Sequence, residues 1–163
     1  MGDRDRYSRF GMWLRAIVVI ALVVTASCGD SRSCKIEDVL AEITAPQADD
    51  CGVLTADDTA NNFAAAHDCV AAAIAAQRPF TVQWDLQGID SRVARALVGS
   101  PAGAGVQYRL LAFDGDPSGG SSAGDPHTTT YLCANLVDQG DCADVRTSLC
   151  FDCSNSSVTD ECP

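Results

Sequence analysis

Positive charge is scarce in this chain: 11 Lys and Arg stand against 22 Asp and Glu, a formal net charge of −11. No basic patch exists to neutralise phosphates, so nucleic acid is excluded as a partner at moderate salt. Histidine is scarcer still. His67 and His127 are the only two, and neither sits in G-x-S-x-G or H-E-x-x-H, so the sequence offers no nucleophile or zinc-protease signature. Aromatic residues make up 6%, too few to read as a stacking platform. Trp84 and Tyr108 fall on alternating positions and read as core. A membrane-spanning run is also missing. The apolar stretch Ala16–Ala26 has 11 residues, where a helical span of the hydrocarbon layer needs roughly 20.

That short stretch is the most informative part of what is there. Arg4, Arg6, Arg9 and Arg15 precede it against only Asp3 and Asp5, the basic n-region of an export signal. The segment Thr25-Ala26-Ser27-Cys28 resembles the lipobox of bacterial lipoproteins, in which small residues are cut just before a cysteine that becomes the lipid-carrying N-terminus. The resemblance implies a signal peptide over 1–27, lipidation at Cys28 by a diacylglycerol and an added N-acyl (palmitate-type) chain, and anchoring in the bacterial cell envelope. Two or more acyl chains suffice for a stable anchor, where one does not. Gly29 rather than aspartate follows Cys28, which by this family's sorting rule implies the outer membrane. The same residues also allow ordinary secretion, with Val24-Thr25-Ala26 as a small-x-small site and Ser27 as the first residue.

Cysteine parity separates the two readings. Of nine cysteines, committing Cys28 to lipid leaves Cys34, Cys51, Cys69, Cys133, Cys142, Cys150, Cys153 and Cys162, an even set that can pair completely in an oxidising compartment. Cys34, Cys51 and Cys69 lie upstream and the other five downstream, so complete pairing forces at least one bridge between the two groups. A Cys51–Cys69 bridge is one open option. The leader removes four of the 11 basic and two of the 22 acidic residues, leaving 7 against 20, a formal −13. Such acidity favours solubility, and a cationic ligand or an envelope protein is the partner class it leaves open.

Along the rest of the chain, 28–50 reads as a lipidated N-terminus and tether holding one short helix, IEDVLAEI, ended by Pro46. Residues 51–163 read as one disulfide-rich domain. Its main helix is predicted over Thr55–Gln77, capped by Thr55 and stopped by Pro79, with Phe63, Ala66, Val70, Ala73 and Ile74 on one stripe. Strands follow at Phe80–Leu86, Val106–Phe113 and Thr128–Val137, each by alternation or β-branched content, while Arg92–Val98 fits a strand or a short helix. The expected fold is α+β: one main helix on a three- to four-stranded antiparallel sheet, with a C-terminal tail stapled by disulfides.

Two chemical motifs stand out. Cys150-Phe-Asp-Cys153 has the spacing of a thiol–disulfide motif, but Asp152 between the thiols disfavours a thiolate, and no strand-to-helix unit precedes it. No second CxxC completes a zinc ribbon. Asp114, Asp116, Ser118 and Asp125 follow part of the calcium-loop pattern of alternating oxygen ligands, though the same residues make an ordinary acidic hairpin loop. The reading as a whole is a lipid-anchored, non-enzymatic binding or structural module, with an envelope thiol–disulfide oxidoreductase (Cys150/Cys153) or a calcium-dependent module (the 114–125 loop) as alternatives.

Overall fold

A computed structural model of the chain describes residues 33–86, 88, 91–116, 125–140 and 148–162. The predicted signal peptide and Cys28 lie outside them, as do Ser118 and Cys142. Residues 31–163 form one compact unit. That unit is mostly β. Eight strands and two short helices follow one another as α1 (Ile36–Ile43), β1 (Asp49–Leu54), α2 (Ala60–Ala75), β2 (Phe80–Leu86), β3 (Val93–Ala102), β4 (Gly105–Asp114), β5 (His127–Cys133), β6 (Asn135–Asp138), β7 (Phe151–Ser154) and β8 (Ser157–Cys162). Six strands make a mixed sheet in the order β1-β2-β3-β4-β5-β8, and β6 pairs with β7 separately. The predicted α+β layer of one helix on three or four antiparallel strands is therefore corrected: β1 runs parallel to β2, and β8 closes the far edge.

The missed strands share a cause. β1 (DDCGVL) opens on two acids, and Gly52 at φ 103° breaks its alternation where the register shifts between Asp50 and Val53. β7 and β8 are short and polar, so no period-2 apolar signal marks them. The predicted strand over Thr128–Val137 is instead broken at Ala134, and its two halves join different sheets. Residues 92–98 resolve as strand, because β3 pairs along its length with β2 on one side and β4 on the other.

Helix α2 starts later than predicted. The hydroxyl of Thr59, not Thr55, accepts from the Asn62 N–H at 3.4 Å. Thr55 instead forms a turn with Asp58, whose carboxylate accepts from the Thr55 N–H at 2.7 Å. The helix ends before Pro79 through a Schellman arrangement: Gln77, at φ 54°, donates to the Ile74 carbonyl, and the Arg78 N–H donates to Ala73. The predicted stripe is correct, with Phe63, Ala66, Val70 and Ala73 buried and Ile74 packed beside them.

Both sheet faces are covered. On one, α2 packs on β1 and β2, and Phe80, Val82, Trp84 and Leu97 join Leu149 and Phe151 in its core. On the other, Ile36 and Val39 of α1 meet Ala94, Ala96, Val98, Leu111 and Phe113. This second layer corrects two expectations. Residues 36–43 belong to the core rather than to a tether, and the deepest β4 residues are Leu111 and Phe113, while Tyr108, read as core from its alternation, is only half-buried. It also explains Gln83, 2% exposed within a strand expected to show one polar face: its amide donates to Glu37 of α1 at 3.4 Å.

Candidate functional site

Three bridges join described cysteines: Cys34–Cys162, Cys51–Cys69 and Cys133–Cys153. Cys34–Cys162 is the cross-group bridge that parity required, and it ties the start of α1 to the end of the edge strand β8. Cys51–Cys69 links β1 to the middle of α2. Cys150 is disulfide-bonded too, so the CxxC pair is divided between separate bridges. Cys153 is bonded to Cys133 on β5, and Cys150 is 5% exposed. A working dithiol needs its two sulfurs to exchange one bond with each other and with a substrate, and this arrangement instead fastens the β6–β7 ribbon to the main sheet.

The backbone near Cys150 is constrained. Leu149 and Cys150 have φ of 51° and 59°, a left-handed conformation that costs non-glycine residues roughly 1–2 kcal/mol each. The burial of the Leu149 side chain in the α2-side core and the disulfide at Cys150 hold them there.

His67 lies where α2 meets this ribbon. Its ring stacks on Phe151 with centroids 4.9 Å apart, and Nε2 is 3.1 Å from the Asp138 carboxylate on β6. Asp138 is held below the ordinary carboxylate range by the Gly140 N–H and then by His67. The contact clasps α2 to β6, and among the described residues the hydrogen-bond partners of His67 are Asp68 and Asp138. His127 sits at the first position of β5, opposite Asp114.

Of the calcium candidates, Asp116 lines a cleft of about 740 Å³ that also takes in Glu37, Arg92 and Phe113. Asp114 closes β4, and its Oδ1 already accepts from the Ser91 hydroxyl at 3.3 Å and from the Asp116 N–H at 3.0 Å. That is an acidic turn closed on itself. Ser118 lies outside the described residues, and among those described no three His, Cys, Asp or Glu side chains converge as a metal-ligating group. Asp125 is exposed at the far side of the loop.

The cleft is organised by a residue that sequence reasoning passed over. Arg92 donates through Nε and Nη2 to Asp85 Oδ1 at 3.1 and 2.9 Å and through Nη1 to Glu37, while its guanidinium lies 5.8 Å from the Phe113 ring centroid. Burial pushes Glu37 up, but its own helix N–H and Arg92 outweigh this and hold it below its ordinary value. Arg92 is raised, chiefly by Asp85. The cluster locks α1 to the β2–β3 connection. The sequence signal for it was Arg92 itself, a cation at a turn in an anionic chain.

Compared with known families, with curated proteins and with solved structures, the chain matches none of them. Among the described residues no helix is long and apolar enough to cross a membrane.

Proposed function

We propose that this chain is a lipid-anchored protein of the bacterial cell envelope, attached through Cys28 and displaying a cross-linked, non-enzymatic binding or structural domain. The observation that carries the proposal is the oxidation state of the domain. All seven described cysteines are disulfide-bonded, as befits a chain folded outside the reducing cytosol, and Cys28 is the one cysteine with a lipobox before it. The short apolar stretch and its basic flank supply the export signal, and Gly29 favours the outer membrane. The membrane itself, through the lipid, is the first partner; the acidic surface leaves a cationic ligand or envelope protein as a second.

The proposal fits a short connection. Since α1 packs in the core, only the residues between Cys28 and Cys34 separate lipid from domain, a reach of about 20 Å at full extension.

Intact mass of the membrane-extracted protein, with and without alkylation under non-reducing conditions, tests the proposal. A chain beginning at Cys28, carrying lipid and taking up no alkylating agent, is the expected result. A chain beginning at Ser27, or alkylation of Cys150 and Cys153, overturns it in favour of a secreted protein or a reactive dithiol.

A further inference from the structure

Two described arginines pair with carboxylates, Arg78 with Asp49 at 3.0 Å and Arg92 with Asp85 and Glu37. Arg109 does not. Its polar partner is the neutral Gln107, whose Oε1 accepts from Nη2 at 2.8 Å. A guanidinium carries five N–H donors in a planar fork, so most of this one remains available. Arg109 projects from β4 on the α1 side of the sheet, in step with Leu111 and Phe113 of that core.

Helix α1 stops at Ile43, short of the end of the strands it covers, and the sheet face beyond it forms a groove of about 470 Å³. Ile43, Pro101 and Leu132 supply apolar wall, and Arg109 is the one cation among the described lining residues. The wall is preformed, because the Ser100 hydroxyl donates to the Ile43 carbonyl at 3.1 Å and fixes the helix end against β3. The Thr159 hydroxyl, on the same lining, donates to the Thr130 carbonyl at 3.2 Å.

The charge around the groove limits what fits. The domain's negative field repels ligands that carry more than one negative charge. A planar two-oxygen anion of single charge uses the guanidinium fork best, through paired N–H donors. We propose that this groove binds a monocarboxylate with a short apolar body, the carboxylate held by Arg109 and the body lying against Ile43, Pro101 and Leu132. The site is independent of the lipid anchor.

Titration of hexanoate into the full, oxidised protein, followed by NMR of the arginine Nε–H and backbone amides, tests this. Saturable shifts at Arg109, Leu132 and Thr130 with a Kd on the order of 1 mM are expected, given the few contacts a small ligand makes. Arg109→Gln should weaken binding at least tenfold. Should that variant misfold, Arg109→Lys decides, since it keeps the charge and the stem but loses the fork, and should weaken binding several-fold. Absence of saturable shifts, unchanged affinity in Arg109→Lys, or inorganic phosphate binding as tightly as hexanoate overturns the assignment.

Discussion

Gly99 is the position at which the smallest perturbation gives the clearest test of the packing. It lies in β3 directly opposite Phe80 of β2 and Tyr108 of β4. A Cβ placed there would stand 2.7 Å from Cδ1 and Cε1 of the Phe80 ring and 3.0 Å from Cγ1 of Val106. Phe80 is fully buried and cannot swing to solvent. Gly99→Ala thus sets an overpacking cost of about 1–3 kcal/mol against a gain of about 0.5–1 kcal/mol from a less flexible unfolded chain. The net expectation is a loss of about 1–2 kcal/mol, or roughly 3–8 °C in Tm for a domain of this size. Phe80→Leu alone opens space and costs about 1 kcal/mol. The double variant should recover part of both losses, with a coupling of at least about 0.5 kcal/mol. Thermal and urea denaturation with the disulfides intact measures all three variants. Gly99→Ala at or above the parent Tm, or strict additivity in the double variant, would refute the claim that the ring of Phe80 occupies the missing side chain's space.

Bridges closing different lengths of chain should differ in worth. Replacing Cys34 and Cys162 by alanine opens a separation of 128 residues and should cost about 5 kcal/mol, whereas Cys51 and Cys69, 18 apart, should cost about 3 kcal/mol; urea midpoints that rank the other way would show that native packing, not chain entropy, sets their worth. Thr59→Ala removes the side-chain cap of α2 and should cost about 1 kcal/mol with no such loss for Thr55→Ala at the turn before it, as read by chemical denaturation. Glu37 is depressed in the folded chain below its ordinary 4.5, so its contribution is present above that value and fades as pH falls through the folded value. Arg92→Ala should flatten this acid limb while lowering neutral stability by only about 1 kcal/mol, since these groups are partly solvated; an unchanged acid limb in a pH series of urea melts would remove Arg92 as the cause.

Much of the local structure was legible along the chain, and the reason is periodicity. The stripe from Phe63 to Ala73 repeats at helical spacing, and Phe80 to Trp84 repeats at two, so each element declares its buried face from neighbouring residues alone. Parity likewise required a bridge between the N-terminal and C-terminal cysteines, because three and five are both odd, and Cys34–Cys162 is that bridge. The acidic character of the chain and the likeness of residues 25–28 to a lipobox also belong to the sequence, since neither depends on what packs against what.

Tertiary structure alone decided the rest, wherever a residue's role depends on a partner distant in the chain. β1 and β8 are too polar and too short to declare themselves, and they exist as strands because β2 and β5 offer them backbone hydrogen bonds. Gln83 and Leu111 are buried because α1 returns to cover a face that looked solvated. Cys150 and Cys153, three positions apart and suggestive of a dithiol, are divided because Cys133 on β5 stands within bonding distance of Cys153. Arg109 carries no mark of its own among the strand residues; its open donors matter only because α1 ends at Ile43 and leaves that part of the sheet concave.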